Sequence, residues 1–221
     1  MAKLVSSFKN MALSLTCIAL VAAGALAGVY MLTMAPIEAA MKAKQEAAIM
    51  QVLPQVEGLQ VAEAEDVNGI TLYKAYVGEE WVGTAVEATT EGNVSMPFGG
   101  TFRLMVGFDN VGNVVNYVVL EQAETPGLGA LMVSWFCNAD KPGQNIIGKN
   151  PATTNFTVSK DGGDVDAITA STITSRAFLE VVVKAYNAIA HQDVEAVSSA
   201  TQLGESGDEA TSELEEKGGQ Q

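Results

Sequence analysis

The chain has 221 residues, which suits one domain of ordinary size with appendages. Its 26 acidic and 12 basic side chains give a formal net charge of −14. This balance excludes a nucleic-acid-binding protein, because neutralising phosphates requires a surplus of lysine and arginine. One histidine and two cysteines are too few ligands for a Cys/His metal centre, and we predict no metal site. Cys17 lies in an apolar segment, which excludes a disulfide framework, and we interpret the single Cys137 as a small core residue.

Residues 11–34 form a run of 24 residues without a charged side chain. As a helix, such a run would span roughly 36 Å, enough to cross a hydrocarbon core of about 30 Å. The alternative is a cleaved signal peptide, since Ala25, Leu26 and Ala27 resemble a cleavage site. The apolar region of a signal peptide usually has only about 7–15 residues. We therefore predict a single transmembrane helix over residues 11–34 that is retained in the protein.

The charges that flank this helix indicate its orientation only weakly. Lys3 and Lys9 precede it, while Lys42 and Lys44 follow it closely. Acidic side chains contribute little to the positive-inside rule, so the difference between the two sides is small. The economical arrangement has residues 1–10 in the cytoplasm and the long acidic part on the periplasmic side of a bacterial inner membrane.

The next elements alternate between helix formers and strand formers. Residues 35–54 are rich in helix formers and end at a proline, which predicts a juxtamembrane helix that continues or kinks out of the anchor. Short runs rich in Val, Tyr and Phe then predict a sheet, and the segment 109–113 has the chemistry of a hairpin turn. The predicted strands are residues 71–77, 81–89, 101–108 and 114–122, with a further short strand at 156–159. Between the last two, residues 127–138 carry apolar side chains at roughly helical spacing.

The last predicted helix covers residues 172–191. Its apolar side chains recur at helical spacing, which is typical of an amphipathic helix packed on a sheet; they are Phe178, Val181, Val182, Ala185 and Ile189. His191, at its end, is interpreted as a simple cap. Residues 204–221 are rich in Gly, Ser, Glu and Gln, and we predict a disordered acidic tail there. The elements together predict an α+β protein whose mostly antiparallel sheet, packed by helices, belongs to a domain over residues 55–203.

The segment from residue 166 to residue 175 is the most informative for chemistry, since half of its ten residues are hydroxylic and they open the last helix. The plain interpretation is a helix N-terminus with several Ser/Thr caps. The functional interpretation starts from the same unpaired N–H groups, which favour a phosphate at this place. A phosphate held there can be esterified to one of the hydroxyls, which makes the ligand permanent.

This segment resembles the flavinylation motif of FMN-binding domains, Asp-x-x-Ser/Thr-Gly-Ala-Ser/Thr-x-Ser/Thr. Such domains occur in the RnfG component of the Rnf electron-transport complex and in the corresponding component of the sodium-translocating NADH:quinone reductase. By position Asp166 matches the leading acid, Thr169 the first hydroxyl and Thr174 the last. The resemblance implies that a flavin transferase joins FMN to Thr172 through a phosphoester.

The chain departs from that motif at two positions. Ala170 and Ser171 stand where the family usually has Gly and Ala. If the first of these positions needs a positive φ, alanine there costs conformational energy.

A second segment, residues 121–129, agrees with the same family through its string Glu-Thr-Pro-Gly-Leu-Gly. A Pro-Gly turn explains Pro126 and Gly127 but not the whole string. Phe98, followed by two glycines, resembles a weaker family feature, and a core role is the plainer interpretation for it. The resemblance implies that residues of both segments lie near the flavin, and the predicted cofactor-binding residues are Thr172, Asp166, Thr169, Ala170, Ser171, Thr174, Glu124, Thr125, Gly127, Leu128 and Gly129.

The resemblance implies a membrane-anchored flavoprotein that relays electrons within an Rnf-type ferredoxin:NAD oxidoreductase coupled to ion translocation. No catalytic residue is predicted, because FMN supplies the electron chemistry and this component is not catalytic alone. Its expected partners are the other membrane subunits and, during maturation, the flavin transferase. Two alternatives stay open at this point: the corresponding component of the NADH:quinone reductase, and a flavin-free, single-span scaffold protein.

Overall fold

The computed structural model describes residues 8–67, 69–91 and 95–190. The predictions for residues 1–7, for His191 and for the tail 204–221 lie outside this described part. The chain divides into two compact units, residues 1–44 and residues 45–221, and each is described by itself.

A single helix, α1 (Phe8–Val52), contains 45 residues with Pro36 inside it. Every side chain from residue 8 to residue 44 is exposed, and in the described part this is the one helix long and apolar enough to cross a membrane. The hydroxyls of Thr16 and Thr33 donate to the carbonyls of Ala12 and Val29 at 2.9 Å, so they satisfy themselves within the helix. The predicted apolar N-terminal helix is confirmed, and it runs on without a break into the segment predicted as a juxtamembrane helix.

The second unit contains a six-stranded sheet in which all strand pairs are antiparallel. The strands are β1 (Leu59–Val61), β2 (Glu65–Val67), β3 (Ile70–Val77), β4 (Glu80–Thr89), β5 (Arg103–Asp109) and β6 (Val114–Glu121). Their order in the sheet is β1-β3-β4-β5-β6, and β2 also pairs with β3. The four longer strands confirm the sequence prediction, whereas β1 and β2 are too short to show a periodicity of their own.

The turn between β5 and β6 is held by one aspartate. Asp109 Oδ1 accepts from the backbone N–H groups of Val111 and Asn113 at 3.0 and 2.8 Å. Gly112 has a φ of 86°, a left-handed conformation that glycine adopts without strain. The predicted hairpin is therefore present and its cause is local.

Both faces of the sheet are covered, because successive side chains of a strand point to opposite faces. On β5, Leu104, Val106 and Phe108 belong to the main core with α2 (Met132–Trp135) and α3 (Thr172–Ala190). The side chain of Met105 points to a second cluster formed with the last residues of α1 and the residue after it, which are Ala48, Ile49, Val52 and Leu53. This arrangement confirms the α+β class with helices packed on an antiparallel sheet.

Aromatic contacts fix the first turns of α3 against α2 and the sheet. The rings of Phe136 and Phe178 stack with centroids 4.3 Å apart, and Tyr117 meets Phe178 edge-on at 4.9 Å. The Tyr117 hydroxyl donates to the carbonyl of Met132 at 2.6 Å, and burial raises its pKa above the ordinary value. The start of α3 is thereby set rigidly beside α2.

Two local predictions were wrong. Residues 156–159 do not form a strand: Val158 makes one isolated bridge to Val165, and a 3-10 turn follows at Ser159–Asp161. Cys137 is exposed and is not a core residue, because at the end of α2 it is Phe136 that points inward. The apolar spacing of residues 127–138 did not show whether Phe136 or Cys137 faces the sheet.

Candidate functional site

A short loop precedes Thr172, which is the first residue of α3. The N–H of Ser171 donates to the carbonyl of Ile168 at 3.0 Å, and the Ile168 side chain is buried. Between them Ala170 has a φ of 60°, and within the described part it is the one non-glycine residue with a positive φ. An L-residue is strained there because its Cβ crowds the backbone, whereas glycine is not. The conformation is the one that favours the glycine usual at this position.

The hydroxyl side chains of this segment divide into a buried and an accessible group. Ser171, Thr174 and Ser175 are all buried. The first two bond to each other at 3.2 Å, and the Ser175 hydroxyl donates to the carbonyl of Ser171 at 2.9 Å. Thr169 is exposed and Thr172 is half-buried. The buried hydroxyls are engaged in hydrogen bonds within the domain. Thr169 and Thr172 are therefore the hydroxyls of this segment that a reagent in solution can reach.

The 3-10 turn Ser159–Asp161, hereafter the 159–161 turn, lies against this segment. Each of its three consecutive side chains contacts a different residue there: Ser159 Oγ donates to Asp166 Oδ1 at 2.7 Å, Lys160 Nζ donates to Thr172 Oγ1 at 3.3 Å, and Asp161 accepts from Arg176. None of these three residues is among the site residues predicted from the sequence.

The pair of Arg176 and Asp161 is bidentate and mostly buried. Arg176 Nε and its terminal nitrogen donate to the two carboxylate oxygens of Asp161 at 2.7 and 2.8 Å. The hydrogen bond to Asp161 raises the pKa of the Arg176 guanidinium above its ordinary value. The guanidinium fork fixes the orientation of the carboxylate as well as its distance, so the 159–161 turn is held on the first turns of α3.

Asp166, the leading acid of the motif, is exposed but held on several sides. Its backbone N–H donates to the carbonyl of Gly143 at 2.7 Å, and its carbonyl accepts from Trp135 Nε1 at 2.9 Å. A Cβ on Gly143 would overlap the Asp166 carboxylate. Because Ser159 also donates to that carboxylate, Asp166 joins the motif to α2 and to the 159–161 turn.

Glu124 is the buried centre of the site, with 6% of its surface exposed. Its Oε1 accepts from the N–H of Gly99 at 2.9 Å, and its Oε2 accepts from the Thr174 hydroxyl at 3.2 Å. A Cβ on Gly129 would overlap the Glu124 side chain, so this glycine is required by close approach. One carboxylate therefore links the loop at residue 99, the string at 124–129 and the first turn of α3.

The string itself begins with the turn expected from its Pro-Gly pair. The N–H of Leu128 donates to the carbonyl of Thr125 at 3.1 Å, and Gly127 has a φ of 77°. The side chains of Thr125 and Leu128 are exposed. The turn explains the glycine conformation, and it presents Leu128 to solvent beside the buried Glu124.

Three exposed apolar side chains stand next to residues that Glu124 joins. Phe98 precedes Gly99 and is 82% exposed, so the interpretation of Phe98 as a core residue was wrong. Leu128 and Ile173 are 39% and 37% exposed. Each of these side chains adjoins in sequence a residue that Glu124 contacts or approaches, which is Gly99, Gly129 or Thr174.

Two family models match the chain. The model of the FMN-binding domain matches residues 98–187, and the model of the RnfG N-terminal region matches residues 1–52. The G subunit of the ion-translocating oxidoreductase complex of Haemophilus influenzae (strain PittEE) is 31% identical over 158 residues, which are 68% of this chain and 75% of that protein. The chain belongs to the RnfG family. The G subunits of the same complex in Methanosarcina acetivorans and in Escherichia coli (strain K12) are 30% and 34% identical, and the matches cover 91% and 71% of those proteins.

Membership of the RnfG family decides between the two complexes that share this motif, in favour of the Rnf type. The match to the FMN-binding domain spans every segment of the site described above, from the glycines after Phe98 to α3. A flavin-free scaffold protein is accordingly the weaker interpretation. Residues 159–161 also fall within the match, although no local pattern in the sequence distinguishes them.

Proposed function

We propose that the chain carries FMN as a phosphoester on Thr172 and relays electrons in a membrane complex of the Rnf type. The observation that carries this proposal is the accessibility of Thr172 at the start of α3, with the Lys160 ammonium 3.3 Å from its hydroxyl oxygen. The neighbouring hydroxyls of Ser171, Thr174 and Ser175 are buried in hydrogen bonds. A phosphate on Thr172 is favoured there by the partial positive charge of the helix N-terminus and by the lysine.

Attachment requires an activated phosphate, which a flavin dinucleotide supplies as one half of its phosphoanhydride. The Thr172 oxygen forms a bond to the FMN phosphorus, the bond from that phosphorus to the bridging oxygen breaks, and AMP leaves. The hydroxyl proton is released to solvent, so no oxidant or reductant is needed. A flavin transferase acts in trans on the exposed side of the 166–172 loop.

The bound flavin supplies exchange of one or two electrons, so it connects carriers of the two kinds. The residues of this chain hold and orient it. Glu124 fixes the loop of Phe98 and the string of Leu128 relative to Thr172, and these apolar side chains shield the ring from water. Covalent attachment keeps the cofactor on the protein outside the cytoplasm.

The relatives are named as subunits of an ion-translocating oxidoreductase complex. By that similarity we infer that this chain assembles with other membrane subunits, which hold the NAD site, the iron–sulfur centres and the ion path. Electrons pass between ferredoxin and NAD in such a complex. Helix α1 anchors the domain to the inner membrane, with residues 45–221 on the periplasmic side.

Labelling of the full chain tests attachment. Co-expression with a flavin transferase should give a band on a denaturing gel with flavin fluorescence at the size of the intact chain. Thr172→Ala should abolish the fluorescence. Thr153→Ala is the matched control, since it removes an exposed threonine hydroxyl outside the 166–175 segment and should keep the label. Thr172→Ser keeps a hydroxyl and should label weakly. A colourless wild-type band, or fluorescence that survives Thr172→Ala, would contradict the proposal.

A further inference from the structure

We propose that Lys160 is a positioning residue for flavin attachment: its ammonium orients the Thr172 hydroxyl and then pairs with the phosphate that joins FMN to Thr172. The inference rests on the proposed attachment of FMN at Thr172. The contact that carries it is the hydrogen bond from Lys160 Nζ to Thr172 Oγ1, at 3.3 Å.

The turn that holds Lys160 is fixed on both sides of it. Ser159 is bonded to the Asp166 carboxylate at 2.7 Å, and Asp161 is bonded to Arg176 through two hydrogen bonds. The Arg176–Asp161 pair is the more buried of these, with 19% and 13% of the side chains exposed. Lys160 is consequently placed over Thr172 by its neighbours, so it is aimed at the hydroxyl before any phosphate is present.

The charge of Lys160 fits the group that the proposed attachment creates. The hydroxyl of Thr172 is neutral, whereas a phosphodiester on the same oxygen carries one negative charge. The acids that hold the 159–161 turn in place already have partners, since Asp161 pairs with Arg176 and Asp166 accepts from Ser159. An ammonium group has three donors, so Lys160 can bind a phosphate oxygen while it keeps its contact with the ester oxygen.

The role of Lys160 in the transfer is electrostatic. As the Thr172 oxygen bonds to the FMN phosphorus and the phosphoanhydride bond to AMP breaks, negative charge on the phosphoryl oxygens is stabilised by the ammonium. The hydroxyl proton goes to solvent. A preorganised cation at this point lowers the barrier without being consumed.

The test is the rate of flavin transfer to purified full-length chain, measured with the transferase, a flavin dinucleotide and Mg²⁺ by the growth of in-gel fluorescence. The variants are Lys160→Gln, Lys160→Glu and Lys160→Arg. Lys74→Gln is the matched control, because it removes another exposed lysine, which lies outside the site and pairs with Glu65 on a neighbouring strand. Thermal unfolding of each variant shows that it is folded.

At saturating chain concentration we expect Lys160→Gln to label about tenfold more slowly, the equivalent of one modest charge-assisted hydrogen bond. Lys160→Glu should be slower still, Lys160→Arg should stay within about twofold of wild type because the charge is kept, and Lys74→Gln should not differ. In the labelled proteins, the phosphorus NMR resonance of the phosphodiester should shift in Lys160→Gln and not in Lys74→Gln.

Equal labelling rates for wild type, Lys160→Gln and Lys160→Glu would overturn the inference. So would a change confined to KM, since that would make Lys160 a docking contact for the transferase. If the wild-type chain is labelled and only the Lys160 result fails, the proposed function stands. If the wild-type chain takes no label, the proposed function itself fails.

Discussion

At the scale of single residues, Ala170 has a backbone conformation that is unfavourable for a residue with a side chain. At its φ of 60° the Cβ of an L-residue crowds the backbone, whereas glycine, which has no Cβ, is free of this strain. The cost of this conformation for an L-residue is about 1–2 kcal/mol, and part of it returns as the smaller backbone entropy of unfolded alanine.

Replacing Ala170 by glycine should therefore stabilise the protein. We expect Ala170→Gly to raise the free energy of unfolding by about 0.5–1 kcal/mol in denaturant melts, without loss of flavin labelling. Ala167→Gly, in the same loop but without a positive φ, should lower it by about the same amount. A destabilised Ala170→Gly protein would show that the left-handed turn is not what strains this loop.

A second prediction at this scale concerns Glu124, because its carboxylate accepts hydrogen bonds from two different groups. Glu124→Ala leaves the N–H of Gly99 and the hydroxyl of Thr174 without their acceptor and should cost about 2–3 kcal/mol of stability. Glu124→Gln should cost less, since the amide oxygen still accepts from Gly99 and the Thr174 hydroxyl can rotate to accept from the amide nitrogen. Equilibrium unfolding of both variants measures the difference, and equal losses would argue against this hydrogen-bond assignment.

At the scale of elements, the close approach of β5 to the end of α1 depends on a glycine. A Cβ on Gly107 would overlap the carbonyl of Val52. The contact brings backbone against backbone, so neither side relaxes by rotating a side chain. This close approach lets the end of α1 share a core cluster with Met105 of β5.

Gly107→Ala should accordingly destabilise the domain by about 3 kcal/mol through overpacking. The matched control is Gly148→Ala, which has a positive φ of 78° but open space around its Cα. The control should cost only the strain of the left-handed conformation, about 1–2 kcal/mol. Chemical denaturation compares the two, and a Gly107→Ala protein no less stable than Gly148→Ala would mean that α1 moves away from β5 without cost.

At the scale of the whole molecule, the position of a truncation within α1 decides whether the domain folds. Residues 48, 49, 52 and 53 are buried in the second core cluster, whereas every side chain in residues 8–44 is exposed. We expect the chain that starts at residue 45 to fold and to stay in solution without detergent. Starting at residue 54 should cost roughly 5 kcal/mol or more of hydrophobic stabilisation. Similar unfolding temperatures for the two truncated chains would contradict this division.

The side of the membrane on which the domain lies can be tested with Cys137, which is exposed. In the Cys17→Ser variant, a membrane-impermeant maleimide added to intact spheroplasts should label Cys137 if the domain is periplasmic. Lysed spheroplasts give the total reactive thiol, and Cys17→Ser/Cys137→Ser gives the background. Labelling that appears only after lysis would place the domain in the cytoplasm.

Much of the fold could be predicted from the sequence because its causes are local. The charge-free run predicts the apolar helix, the alternation of β-formers predicts the four longer strands, and the residues after Phe108 predict the hairpin. The Thr172 motif was visible for the same reason, since its residues are contiguous. The short strands β1 and β2, the exposure of Cys137 and the exposure of Phe98 were not predictable, because each depends on which face of the chain the core covers.

The tertiary structure decided which groups surround Thr172. Lys160 lies 12 residues before it, and Glu124 reaches Gly99 and Thr174 across 25 and 50 residues. No local pattern marks such partners, because hydrogen bonds of this kind depend on how the turns and helices pack and not on spacing along the chain. The sequence by itself therefore determined the apolar N-terminal helix, the strand-rich domain and the candidate hydroxyl, while packing decided which hydroxyls are buried and placed a lysine at the one that opens α3.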